Sequence, residues 1–240
     1  MRKLAVIPAR YESSRFPGKP LIDLKGKTMV QRVYEGVEGA NIFDRTVVAT
    51  DDERIFNHVL SFGGEAIMTS KNHESGTDRC GEVIQKFSDY DVVVNIQGDE
   101  PLVEKQQLEQ LISAFDDSNV EIATLGTPKI TKAEYNDSNR IKIVLDHNSD
   151  ALYFSRSAIP FERNDIDYPF VRHIGLYGFK TTILSRLVSL KKTKLEKTES
   201  LEQLRWMYYG HKIRVIETLI ETPNIDVPED VEAVVRLLKD

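Results

Sequence analysis

The chain is 240 residues long, with 40% apolar and 29% charged residues and a formal net charge of −6. These values suit one soluble domain with a substantial core, and the acidic balance argues against a nucleic-acid or acidic-membrane surface, which needs a basic face. Cys80, the only cysteine, excludes an intramolecular disulfide and a cysteine-rich metal site.

The apolar stretch LAVI near the start is too short for a signal peptide, and no stretch approaches the roughly 18 apolar residues of a membrane-spanning helix. A cytoplasmic protein is therefore expected. LAVI reads as a buried strand. Strand-length apolar runs then alternate with helix-period segments: TMVQRVYEGV, TVVAT, DERIFNHVLSF, EAIMTS, RCGEVIQKF, DVVVNIQ and QLEQLISAF. Such alternation predicts crossover units and a mainly parallel sheet covered by helices on both faces. Thr28 and Gln31 suggest a capping box for the first helix, Gly63 and Gly64 close the second, and Cys80 reads as a small core residue.

From about residue 120, EIATLG, IKIVLD, ALYFSRS and HIGLYGF predict longer strands, with HNSD as a hairpin turn. This part is either a β-rich insertion or an antiparallel extension of the sheet. KKTKLEKTE (191–199) reads as a solvated loop. A helix over SLEQLRWMYYG, a strand over KIRVIETL and a last helix over PEDVEAVVRLLKD follow, with Asp226 near the start of that helix and Pro228 in its first turn. No linker or repeat divides the sequence. One domain over 1–240 is expected, with a β-rich subregion at about 125–180.

Five stretches carry candidate chemistry. PARYESSRFPGKP (8–20) places Arg10, Arg15 and Lys19 on a backbone stiffened by three prolines, directly after the first strand. It is not a P-loop, because Lys19 is followed by Pro20 and the upstream glycine is missing, and GxGxxG never follows a strand. Three cations, with Ser13, Ser14 and backbone amides as donors, suit a triphosphate, and a solvated surface loop is the plain alternative. DVVVNIQGDEP delivers Asp99 at the end of a buried strand, where a carboxylate holds Mg²⁺ near phosphates or simply shapes a turn. ESGTDR (74–79) offers backbone amides to a base or phosphate, or is only a helix N-cap by Thr77 or Asp78. YFSRS and RHIGLY put Arg156, His173 and Tyr177 on strands, a set that could clamp a sugar acid, although a strand histidine is commonly a satisfied core residue. ESLEQLR gives Glu199, Glu202 and Gln203 a spacing compatible with hydroxyl recognition, or an exposed helix face.

Taken together, IPARYESSRFPGKPL (7–21), VATDDERI (48–55), SGTDR (75–79), VNIQGDEPL (94–102), ATLG (123–126), ALYFSRSAIP (151–160), RHIGLYGF (172–179), LEQLR (201–205) and DVPED (226–230) resemble one family, the 3-deoxy-manno-octulosonate (KDO) cytidylyltransferases. The resemblance runs along the whole chain. It implies an α/β, Rossmann-like nucleotidyltransferase with a three-layer α/β/α arrangement, a mainly parallel sheet and a smaller β-rich insertion. The implied reaction is transfer of CMP from CTP to the anomeric hydroxyl of KDO with release of pyrophosphate, in lipopolysaccharide synthesis, by a homodimer. Position by position, Arg10, Ser14, Arg15 and Lys19 match the triphosphate loop, with Lys19 the catalytic cation. Ser75, Gly76 and Arg79 match the part that meets cytosine and ribose, Asp99 and Asp226 the Mg²⁺ carboxylates, and Gln97, Arg156, His173, Tyr177, Glu202 and Gln203 the sugar-acid pocket.

Two departures stand out. Val227 replaces a threonine usual in the family, which removes a hydroxyl beside Asp226 but not the carboxylate. The segment ERNDIDYPFV is also shorter than in many members, and it bears on which sugar acid is taken. The competing readings are a cytidylyltransferase for the 8-amino analogue or a sialic acid, and a non-catalytic nucleotide-binding module.

Overall fold

The opening apolar run lies inside β1 (Lys3–Ala9), in a computed structural model that describes residues 1–12, 16–164, 166 and 168–238. It is followed by α1 (Met29–Ala40), β2 (Arg45–Thr50), α2 (Glu53–Ser61), β3 (Ala66–Met68), α3 (Gly76–Lys86), β4 (Val92–Asn95) and α4 (Lys105–Ser113). The four strands lie in the order β3-β2-β1-β4 and every pairing is parallel. Leu4–Ile7, Val47–Ala49 and Val92–Val94 are all shielded from solvent, the unbroken apolar run that a strand covered on both faces requires.

The strand order fixes where a ligand can sit. Crossovers β1-α1-β2 and β2-α2-β3 step in one direction across the sheet, whereas β3-α3-β4 returns past β2 and β1. Right-handed connections therefore place α3 on the face opposite α1 and α2. The chain reverses direction between β1 and β4, and in open α/β sheets the crevice beyond the carboxyl ends of such a strand pair is the ligand site.

The chain separates into two compact units, residues 1–109 with 222–240 and residues 110–221. The second contains β5 (Ile122–Thr127), α5 (Lys132–Asn136), β6 (Lys142–Leu145), β7 (Ala151–Ser155), β8 (Val171–Lys180), α6 (Thr181–Leu187), α7 (Lys194–Glu199), α8 (Gln203–Tyr208) and β9 (Arg214–Glu217). β5 pairs antiparallel with β8 and parallel with β9, and β6 pairs antiparallel with β7 and β8. The segment HNSD does make the β6–β7 turn: Asp146 Oδ1 accepts from the backbone N–H groups of Asn148 and Asp150, and Ser149 adopts a positive φ of 63°. The expected strand-rich stretch at about 125–180 falls within this unit. α9 (Asp230–Leu237) belongs to the first unit, where Ile225, Val234 and Leu238 pack with Leu24 and Met29. Among the described residues no helix is long and apolar enough to cross a membrane.

Four local expectations need correction. Part of the lysine-rich stretch at 191–199 is helical: Thr193 and Glu196 form a complete capping box for α7, and Glu196 is buried beside Arg205. The charge run masked that signal, because Thr-x-x-Glu is itself a helix start. The helix α3 is capped by Ser75 rather than Thr77 or Asp78, with Asp78 completing a capping box from the third helical position. At α1 only half a box forms, since Thr28 accepts from Gln31 N–H while the Gln31 amide turns to Glu35. Pro228 precedes α9 instead of lying in its first turn, because Asp230 turns its carboxylate back onto the N–H groups of Asp226 and Val227.

Candidate active site

Beyond the ends of β1 and β4 the first unit holds a cleft of about 210 Å³ lined by residues of three segments: Pro8 to Arg10 with Lys19 and Pro20, His73 to Gly76 with Arg79, and Gln97 to Asp99. The close approach of these segments is built on two glycines. A Cβ on Gly98 would lie 2.6 Å from the Pro8 carbonyl oxygen, and one on Gly76 would lie 3.2 Å from Pro8 and 3.3 Å from Asn95. A side chain at Gly98 would drive the chain after β4 off the β1 end, while one at Gly76 would crowd the Pro8 and Asn95 side chains.

Lys19 follows Gly18, whose φ of 74° reverses the chain, and Gly18 N–H donates to the Tyr11 carbonyl so that the loop closes on itself. Its ammonium donates to Asp99 Oδ2 at 2.6 Å and to the Ile225 carbonyl at 2.8 Å. Ile225 N–H donates in turn to the Asp99 carbonyl at 3.0 Å, so three segments distant in sequence are tied at one point. The side chains of Lys19 and Asp99 are 14% and 25% exposed, so the pair is partly shielded yet open to a ligand. Asp226 directly follows Ile225, and its Oδ2 accepts from Asn224. Ser14 and Arg15 lie outside the described residues.

Asp99 supplies a hard carboxylate oxygen, as Mg²⁺ prefers, and keeps a second oxygen beyond the one bonded to Lys19. Buried Glu100 next door is pushed up to about 8, chiefly by loss of hydration and then by the Asp99 charge, and its Oε2 has no hydrogen-bond partner among the described residues. A buried acid whose proton is held more tightly than usual thus adjoins Asp99 at the strand end. No group of three or more His, Cys, Asp or Glu side chains able to hold a metal occurs among the described residues. A nucleotide-bound Mg²⁺ needs only one or two carboxylates, a requirement Asp99 meets from inside the cleft, whereas Asp226 is not among the residues that line it.

Arg79 is buried, with its guanidinium donating to Asp51 Oδ2 and Thr69 Oγ1, each at 2.6 Å, and to the Ser70 carbonyl. Sequence reading assigned no role to Asp51 or Thr69. Asp51 had the signal that marked Asp99, an acidic residue directly after a buried parallel strand, whereas Thr69 had none.

The remaining sequence-predicted residues belong to the second unit. Arg156 follows β7, and its donors reach the carbonyls of Glu199, Ser138 and Ser200. The Glu199 carboxylate accepts from Ser155 Oγ and Arg156 N–H, and Lys142, wholly buried, donates to the carbonyls of Asp137, Arg140 and Arg156. The Arg156 turn is therefore gripped from both sides. On β8, the rings of His173 and Tyr177 lie 5.3 Å apart, and Tyr177 meets Trp206 edge-on at 5.3 Å. Thr124 Oγ1 donates to the Leu176 carbonyl and so accepts from His173 Nε2–H. Gln203 is buried on α8, while Glu202 precedes that helix and accepts from Arg205. The exposed helix face considered for ESLEQLR is absent: Glu199 ends α7, and Gln203 and Arg205 are buried on α8.

Desolvation, reinforced by Arg172, pulls His173 down to about 3, so it stays neutral in the folded chain. Below pH 6.5 the unfolded chain takes up a proton that the folded chain refuses until about pH 3, so this histidine's stabilising contribution is full above 6.5 and is lost as pH falls through that window. His173→Gln is expected to flatten the decline in stability between pH 6.5 and 3. Urea titrations across that range measure it, and parallel curves for the two proteins would refute it.

The cytidylyltransferase family model matches residues 4–213. A 3-deoxy-manno-octulosonate cytidylyltransferase of Porphyromonas gingivalis is 48% identical over 98% of this chain and 96% of its own length. The chain belongs to the KDO cytidylyltransferase family. An 8-amino-3,8-dideoxy-manno-octulosonate cytidylyltransferase of Shewanella frigidimarina is 45% identical over 96% of both chains. The solved structure of a CMP:2-keto-3-deoxy-manno-octonic acid synthetase complexed with CTP superposes with a TM-score of 0.94 at 43% identity, covering 99% of this chain and 98% of the other. As a cytidylyltransferase the chain is an enzyme with the mixed α/β nucleotidyltransferase fold expected of it, and the reading as a non-catalytic module is set aside.

Proposed function

We infer that this cytidylyltransferase transfers CMP from CTP to the anomeric hydroxyl of KDO, releasing pyrophosphate and making CMP-KDO for lipopolysaccharide. The observation that carries it is the contact of Lys19 with Asp99 and the Ile225 carbonyl inside the cleft at the β1–β4 reversal. There a cation and a carboxylate meet an open cleft at the sheet's ligand edge.

The reaction forms a bond from the sugar oxygen to the α-phosphorus and breaks the bond from that phosphorus to the β-phosphate bridging oxygen. The hydroxyl gives up its proton, and pyrophosphate takes the electron pair. Such a transfer is positioning plus charge stabilisation. Arg10 and Lys19 hold the phosphates, with Ser14 and Arg15 expected beside them. Ser75, Gly76 and Arg79 hold the cytosine and ribose, and Gln97 lines the cleft next to the reacting centre. Arg156, His173, Tyr177, Glu202 and Gln203 hold the sugar acid. Asp99 and Asp226 would hold Mg²⁺, which when bound neutralises phosphate charge and lowers the pKa of the attacking hydroxyl. The enzyme works as a homodimer, a reading that rests on the family pattern, and in the cytoplasm, a reading that rests on the short apolar N-terminal stretch and the single cysteine.

Incubating the protein and MgCl₂ with each nucleoside triphosphate and with KDO, its 8-amino analogue or a sialic acid separates the substrates. The expected product is CMP-KDO, identified by mass. Preferential turnover of the 8-amino acid, or no nucleotidyl product at all, would overturn this assignment.

A further inference from the structure

The loop between β3 and α3 is gripped by two side chains of the helix that follows it. Arg79 donates to Thr69 and Ser70, and Glu82 Oε2 accepts from Ser70 N–H at 2.8 Å and from His73 Nε2 at 2.6 Å. Residues three apart share a helix face, so both grips act on one loop. They hold His73 against the cleft, which it lines. This part of the cleft is ill suited to phosphate, because Glu82 is anionic and the Arg79 charge is already met by Asp51. The triphosphate belongs with Arg10 and Lys19, which leaves the neighbourhood of His73, Ser75 and Arg79 to the base.

We propose that His73 is a specificity-determining residue that reads the exocyclic group of the pyrimidine, accepting a hydrogen bond from the cytosine amino group. The proposal deepens the CTP-dependent reaction above and rests on it. An ionised carboxylate only accepts, so His73 presents Nε2–H to Glu82, and a singly protonated ring held this way carries its lone pair on Nδ1. Among the described residues Nδ1 makes no hydrogen bond. Cytosine presents an amino donor where uracil presents a carbonyl acceptor, so a fixed ring acceptor attracts the first and opposes the second. Glu82 then acts as a positioning residue: it sets the tautomer and touches no substrate.

The test measures kcat/KM for CTP and for UTP at saturating KDO in the wild type, His73→Phe and Glu82→Gln, with thermal melting to confirm folding. The wild type should favour CTP. In His73→Phe the CTP-to-UTP ratio should fall about tenfold or more, through KM for CTP, with KM for KDO unchanged. Glu82→Gln preserves an acceptor for Ser70 but can donate to the ring, so it should move the ratio the same way, and it carries the test alone if His73→Phe does not fold. A ratio within twofold of wild type in a folded variant, or equal losses on both nucleotides, would overturn the proposal while leaving the reaction intact. A wild type that transfers nothing from CTP defeats both.

Discussion

Lys19→Ala should lower kcat by roughly 10²–10³-fold or more, the scale seen when a preorganised partner of developing charge is removed. The ammonium is held by Asp99 and the Ile225 carbonyl, so it needs no reorganisation when charge builds on the departing pyrophosphate. The loss should therefore appear in kcat as well as in kcat/KM. A defect confined to KM for CTP would make Lys19 a binding group only. Deletion also leaves Asp99 Oδ2 and a carbonyl without their donor, so a modest fall in melting temperature should accompany the loss. Lys19→Arg should not restore the rate, because a planar guanidinium replaces a compact charge between two acceptors held 2.6 and 2.8 Å away.

Asp99→Asn should abolish most pyrophosphate release while the protein stays folded. A neutral amide is nearly isosteric with the carboxylate, so the β4 end and its Gly98 contact with Pro8 are undisturbed. What disappears is the negative charge that a divalent cation needs and that Lys19 faces. The same change relieves Glu100 of a like charge, although burial, the larger cause, still keeps that acid's pKa raised. Folding is followed by urea denaturation and turnover by coupled detection of pyrophosphate, over a series of Mg²⁺ concentrations. Near wild-type release at any of them would mean that Asp99 neither holds the ion nor positions Lys19.

The first unit was legible because each of its strands is a continuous apolar run and each connecting helix has a clear period. Asp99 could be named from such runs, since a polar residue shortly past a buried parallel strand emerges at the sheet's ligand edge, and Lys19 from the cation- and proline-rich loop that follows the first of them. Arg156, expected on a strand, instead lies just past the end of β7, and its three carbonyl partners come from residues 138, 199 and 200, which no local pattern connects to it. The His73–Glu82 contact escaped for a related reason: nine positions separate a loop residue from a helix residue, and neither periodicity nor capping rules bring them together. Helix α7 was missed because charge content was weighed above its Thr193–Glu196 cap.

Sequence alone determined the alternation of strands and helices, the parallel β1-to-β4 half, the family and the residue types available for phosphate and metal chemistry. These follow from local hydrophobic period and from short motifs, which are properties of neighbouring residues. Tertiary structure alone decided the strand order that puts the β1 and β4 ends side by side, and the return of Ile225 to Lys19 across 206 positions. It also decided which ionisable groups lose their charge: Glu100 and His173 carry ordinary side chains, and chiefly the exclusion of water around them, reinforced by Asp99 and Arg172, makes one a weak acid and the other a weak base.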